Sequence, residues 1–243
     1  MNATLQIRTA DGYADAYVAH PSGPGPWPGV LFFMDAFGMR PALFAMAGRL
    51  ASHGYYVLVP NMYYRKGAFA PFDPKATWTR PDETARIMTM IHDTDEDSAM
   101  RDVRSFLHFM SHEGHVRGRK IGVVGYCMGG GFALRAACEY PDSIAAAASF
   151  HGSRFVVNPR TPDLLAAKLR ASVHLGVAEH DRSHDEAVTK SLLTGLERAR
   201  VPHSVETYPG TSHGFAISDL SVFDANASET HWTRLLALFG SAL

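Results

Sequence analysis

The stretch Lys120-Ile-Gly-Val-Val-Gly-Tyr-Cys-Met-Gly-Gly-Gly-Phe-Ala-Leu, residues 120–134, constrains this chain more than any other. Ile121 to Val124 is an apolar, β-branched run that reads as a buried strand. From Phe132 the pattern Phe-Ala-Leu-Arg-Ala-Ala-Cys-Glu is helical. Between them, Gly125-Tyr126-Cys127-Met128-Gly129 must turn sharply, with Cys127 at the apex. Such an apex is held in strained backbone geometry, and side chains two residues to either side would collide with the strand or helix. Gly125 and Gly129 remove that collision, while Gly130 and Gly131 let the helix pack close to the sheet. The positive end of the helix points at Cys127 and favours its thiolate. A lone cysteine in a turn reads first as a small buried hydrophobe. Glycines on both flanks and a strand before it shift the reading to a nucleophile.

The remaining composition narrows the class. The chain has 243 residues, 46% of them hydrophobic, enough for one core, so a single domain over residues 1–243 is expected. A net charge of −1 with no basic stripe argues against nucleic acid or an anionic membrane surface as partner. The polar, alternating opening Met1-Asn-Ala-Thr-Leu-Gln-Ile has no signal-peptide core, and no apolar run approaches the ~20 residues of a membrane span. With two cysteines, one at the turn, a disulfide framework is not expected, and a reduced cytoplasmic location fits.

Along the chain, Leu5–Thr9 and Ala14–His20 form an expected hairpin around Asp11-Gly12. Gly29–Met34 and Tyr55–Pro60 read as buried strands, separated by a helix that starts near Pro41 and ends at Gly54. Residues 62–80, rich in aromatics, Pro and Lys/Arg, read as a long loop, and helices are expected near 82–92 and 96–112. After the central turn come strands at 144–152, 172–179 and 204–208. A helix near 186–200 and another near 229–240 complete the pattern. Alternating strands and helices predict an α/β fold with a doubly wound, mostly parallel central sheet flanked by helices.

A strand–Gly-x-Cys-x-Gly–helix unit in such a sheet is the nucleophile elbow of an α/β-hydrolase, with Cys in place of the more common Ser. Reactive groups collect beyond the carboxyl ends of the strands, in the chain order nucleophile, acid, histidine. Cys127 needs a base, and the base needs an acid to fix its tautomer. His213, in the loop after the last strand, stands where that order requires the base. His151, ending the preceding strand, is its rival and is expected to line the pocket. For the acid, Glu179, Asp181 and Asp185 compete; Asp181 is preferred because Glu179 belongs to the strand and Asp185 to a helix start. The run His180-Asp-Arg-Ser-His-Asp lacks a third partner at ligand spacing, so no metal is expected. The oxyanion needs two backbone N–H donors, assigned to Met128 and to Ala36, in the loop after strand Gly29–Met34.

From residue 14 onward the sequence resembles the dienelactone hydrolase family. The motifs are Gly125-Tyr-Cys-Met-Gly-Gly-Gly, the acid loop Gly176-Val-Ala-Glu-His-Asp181, and Ser212-His-Gly-Phe. The resemblance implies a cofactor-free Cys–His–Asp hydrolase that opens esters or lactones through a thioester acyl-enzyme. It also implies a glutamate that engages the thiol, where this chain has Asp35, and an arginine four residues after the histidine, where it has Ile217. A second family arginine falls near Arg80 and Arg86, with Asp82 at the matching position. Without these carboxylate-gripping arginines, dienelactone itself is not the expected substrate. A less charged ester, lactone or thioester is expected, in a pocket with Asp35, Phe37, Tyr63, Tyr64, Arg86, His151, Phe215 and Ile217. The expected assembly is a monomer or homodimer. A thiol-based redox sensor or ligand-binding protein on a hydrolase scaffold is the alternative, since an accessible low-pKa thiol also oxidises. Cys138, on the following helix, is expected to be an inert packing residue.

Overall fold

The computed structural model describes residues 1–153, 168–183 and 186–243, apart from the side chains at 186, 188 and 189. The chain forms two compact units, Met1–Arg119 and Lys120–Leu243.

In the first unit, β1 (Asn2–Thr9) and β2 (Gly12–Ala19) pair as an antiparallel hairpin, with Thr9 opposite Gly12 and Asn2 opposite Ala19. Both strands run further toward the chain start or the turn than the apolar pattern suggests, because the hairpin ladder extends over polar residues. β2 pairs antiparallel with β4 (Tyr56–Pro60), and β4 pairs parallel with β3 (Trp27–Phe33), giving the order β1-β2-β4-β3. Every residue of β4 is buried, as its unbroken apolar run requires. Helix α1 (Pro41–Ser52) starts on a proline and buries Leu43, Met46, Ala47, Leu50 and Ala51, one stripe at helical spacing, against β4 and β2. Each larger side chain of that stripe stabilises the fold by about 1.5–3 kcal/mol through burial.

Two 3₁₀ turns, Tyr64–Lys66 and Thr77–Thr79, punctuate the stretch expected to be a plain loop. Helices α2 (Pro81–His92) and α3 (Glu96–His112) follow. Asp95 caps α3 by accepting from the Ser98 N–H, and α3 packs on β1.

Strand β5 (Val116–Tyr126) is exposed over residues 117–120 and buried from Ile121 onward, so it begins earlier than its apolar half predicts. In the second unit β5, β6 (Ile144–Phe150), β7 (Ser172–His180) and β8 (His203–Ser212) pair parallel in that order. Helix α4 (Met128–Glu139) packs on β6, and α6 (Ala225–Ala242), capped by Asp224, packs on β6 and β7; α5 (Glu186–Ala199) lies between β7 and β8 in sequence. β8 outlasts the expected strand: an irregularity between Ala178 and His180 lets His180 pair with Ser212, so residues 209–212 are strand rather than loop.

Among the described residues the pairings β1–β2 and β2–β4 are antiparallel and the others parallel, the mostly parallel α/β pattern expected. No described helix is long and apolar enough to cross a membrane.

Candidate active site

The elbow is built as its glycines imply. Cys127 has φ 54° and ψ −124°, a left-handed conformation that side chains rarely adopt, and caps α4. A Cβ at Gly125 would strike the Gly129 carbonyl, and one at Gly130 would strike Ser149 Oγ. Main-chain bonds hold the turn: the Cys127 N–H donates to the Phe150 carbonyl at 3.3 Å, and its carbonyl accepts from Gly130 and Ser153 at 3.0 and 2.9 Å. Tyr126, the residue before the apex, is fully buried and pairs through its hydroxyl with His231 Nε2 on α6 at 2.7 Å.

β7 and β8 run side by side, so the residues that follow them meet. His213 Nδ1 lies 2.7 Å from Asp181 Oδ2, and His213 also hydrogen-bonds the Cys127 side chain. Burial works against a charge on His213, but Cys127 and Asp181 outweigh it and push its pKa up to about 10. Burial likewise disfavours the Asp181 carboxylate, yet hydrogen bonds from His213 and Ser183, with the His213 charge, hold its pKa below the ordinary value. The Ser183 main-chain N–H and hydroxyl both donate to Asp181 Oδ1, at 2.9 and 2.6 Å, and the hydroxyl lies 3.2 Å from His213 Nδ1. Ser183 went unnoticed in the sequence, although Asp-x-Ser is a pattern in which an aspartate accepts from the N–H two residues on.

Of the competing acids, Glu179 is in β7 and accepts the Gly210 N–H at 2.6 Å, while Asp185 lies outside the described residues. Cys138 is buried, and burial pushes its thiol up to about 12. Among the described residues no group of three or more His, Cys, Asp or Glu could hold a metal ion.

His151, Phe215 and Ile217 are buried in this same unit. The His151 ring packs edge-on against His213 at 5.2 Å and Phe215 at 5.5 Å, and Phe215 stacks on Tyr208.

The first unit brings Asp35, Ala36, Phe37 and Tyr63 together. Asp35 is buried and bound in a fork by Arg40, at 2.6 and 2.9 Å, while its Oδ1 accepts the Phe37 N–H. The Tyr63 hydroxyl donates to the Ala36 carbonyl at 3.0 Å. Phe37 packs edge-on against the half-exposed Trp78. Arg40 was not singled out in the sequence, because nothing local marks a guanidinium five residues along as the partner of Asp35.

Tyr64 and Arg86, expected to line the pocket, have hydrogen-bond partners within the first unit. The Tyr64 hydroxyl is shared with Thr9 and Asp102, so it ties the loop to the hairpin and α3. Arg86 donates to Glu83 and the Ala70 carbonyl and lies over the Phe72 ring at 3.7 Å, so its charge supports the loop.

Strand order, elbow and strand-end residues define an α/β-hydrolase, and solved structures carry the same fold. The dienelactone hydrolase-like promiscuous phosphotriesterase P91, from metagenomic libraries, superposes with a TM-score of 0.79 at 23% identity, covering 99% of this chain and 98% of its own. A dienelactone hydrolase from Anabaena variabilis gives 0.70 at 19% identity, covering 100% and 98%. A model of the dienelactone hydrolase family matches residues 14–243, and the chain belongs to that family of hydrolases. A relative of known description, the carboxymethylenebutenolidase of Pseudomonas sp. strain P51, is 26% identical over 88% of this chain and 84% of its own length.

Proposed function

We propose that this hydrolase cleaves an uncharged ester, lactone or thioester through Cys127, His213 and Asp181, by way of a thioester acyl-enzyme. The observation that carries the reading is the His213 imidazole, hydrogen-bonded to Asp181 through Nδ1 and to the Cys127 side chain. With Nδ1 committed to Asp181, Nε2 faces the sulfur.

As thiolate, Cys127 attacks the substrate carbonyl carbon. The tetrahedral oxyanion draws on the Met128 N–H, and one such donor is typically worth ~3–4 kcal/mol. The bond from that carbon to the leaving oxygen, or to the leaving sulfur of a thioester, breaks as imidazolium His213 gives its proton to the departing atom. Water then attacks the thioester, His213 takes its proton, and the carbon–sulfur bond breaks to return the thiolate and release the acid.

Ile217 and Phe215 are buried and apolar, and Arg86 is engaged by Glu83, which supports an uncharged substrate over a carboxylate-bearing one. A thiol sensor would have no use for the Asp181–His213 pair.

The test is hydrolysis of p-nitrophenyl acetate, a neutral lactone, an acyl thioester and dienelactone by wild type and Cys127→Ala. Expected are Cys127-dependent turnover, an acyl adduct on Cys127 by mass spectrometry, and weak activity on dienelactone. Retained turnover in Cys127→Ala overturns the assignment, and preferred cleavage of dienelactone overturns the substrate class.

A further inference from the structure

One buried group beside the triad has no role in the chemistry so far. His151 follows β6, is 1% exposed, and has φ 37°, a conformation that costs a non-glycine residue energy. Its main-chain N–H donates to the Gly176 carbonyl at 2.7 Å, which holds the backbone there. Among the described residues neither ring nitrogen has a hydrogen-bond partner, and buried polar atoms in that state are rare. The ring lies between His213, Phe215 and Tyr126, with centroids at 5.2, 5.5 and 5.8 Å.

Burial first, then the charge on His213, keeps His151 neutral, outweighing the attraction of Asp181; the His231 charge acts in the same direction as His213. A neutral imidazole offers one donor and one acceptor, the complement of a water molecule. A water oxygen about 2.8–3.0 Å from a His151 ring nitrogen would satisfy that atom. The place beside His213 is also where chemistry needs water: the imidazole that protonates the departing oxygen must next deprotonate the water that replaces it.

We propose that His151 holds the water that hydrolyses the acyl-enzyme, an inference that rests on the acylation of Cys127 proposed above. The water oxygen bonds to the thioester carbon as one of its protons passes to His213. Its other O–H donates to His151, which aims a lone pair at the carbon and stays neutral throughout. Collapse of the adduct breaks the carbon–sulfur bond, giving carboxylic acid, Cys127 thiolate and His213 imidazolium.

The experiment follows p-nitrophenyl acetate by stopped flow, where the nitrophenolate burst reports acylation and the steady state reports deacylation. Nitrophenolate departs without a proton, so loss of a water-holding group falls on the second phase. In His151→Phe we expect the burst to persist, the steady-state rate to fall at least tenfold, and acetyl-Cys127 to accumulate by mass spectrometry. His151→Asn, which keeps a donor and an acceptor and tolerates a left-handed backbone, is expected to recover most of the deacylation rate. Parallel loss of both phases in a folded His151→Phe, or an unchanged steady state, overturns the proposal. If His151→Phe does not fold, His151→Asn decides: deacylation within threefold of wild type supports the water site, and equal loss of both phases refutes it. Wild type with no Cys127-dependent turnover refutes the acyl-enzyme and the water site with it, whereas a wild-type acyl-enzyme with unaltered variants refutes the water site alone.

Discussion

His213 Nδ1 and Asp181 Oδ2 stand 2.7 Å apart although 32 residues separate them in sequence. The contact follows from the parallel pairing of β7 and β8, whose irregular last rungs set His180 opposite Ser212 and bring the next residue of each strand together. Asp181 is nearly inaccessible and also receives two bonds from Ser183, so the carboxylate is fixed before it orients the ring.

Replacing Asp181 by Asn reverses the polarity of that contact and favours the wrong His213 tautomer. Turnover of p-nitrophenyl acetate is expected to fall on the order of 10³-fold or more, with the fold retained by circular dichroism. Ser183→Ala removes one donor to the charged carboxylate, worth about 1.5–3 kcal/mol, and is expected to cost on the order of 10- to 100-fold at most. Steady-state kinetics on the two variants separate the roles.

The raised His213 pKa makes a pH-dependent contribution to stability. An unfolded histidine titrates near 6.5, and the folded one near 10. The charged imidazole therefore stabilises the fold fully below about pH 6.5, and the contribution is lost as pH rises through about 10. The melting temperature of wild type is expected to exceed that of His213→Gln by more at pH 6 than at pH 10. An equal gap at both would place the charge elsewhere.

Gly125→Ala sets a methyl group against the Gly129 carbonyl, where strand and helix cross. Backbone must move to accept it. Strain in a packed core costs typically 1–3 kcal/mol, occasionally more, so a clear fall in the midpoint of urea unfolding is expected. A Gly125→Ala midpoint equal to wild type would show that the crossing is looser than its geometry.

Arg40→Met leaves the buried Asp35 carboxylate without its fork. Removing one partner of a buried pair costs about 3–5 kcal/mol, and each kcal/mol shifts the melting temperature by roughly 2–4 °C at this size, so a drop of about 6–20 °C is expected. The double variant Asp35→Asn/Arg40→Met is expected to recover part of it, since the uncompensated charge is gone. Differential scanning calorimetry of both variants checks this.

Much of the molecule was written locally. The elbow is legible because glycine spacing, an apolar run and a helical pattern sit within residues 120–134, where backbone sterics leave few alternatives. Helices α1, α2 and α3 start within one residue of the positions 41, 82 and 96 expected for them. The strand-end rule then pointed to Cys127, Asp181 and His213 as residues that a parallel sheet can gather. What the sequence determined by itself was this succession of elements and the order of their reactive ends.

Tertiary structure alone decided who bonds to whom. β5 extends back to Val116 and β8 runs on to Ser212, because a neighbouring strand can recruit residues with no apolar pattern of their own. Tyr64 and Arg86 are engaged by Asp102 and Glu83, Asp35 by Arg40, and Ser183 joins the acid loop, all through side-chain partners that no spacing rule announces. His151 shows the limit most sharply: its position at a strand end was legible, but its burial, its left-handed backbone and its two nitrogens without a partner among the described residues were not. Backbone preference is a property of neighbours in sequence, whereas desolvation and hydrogen-bond satisfaction are properties of neighbours in space.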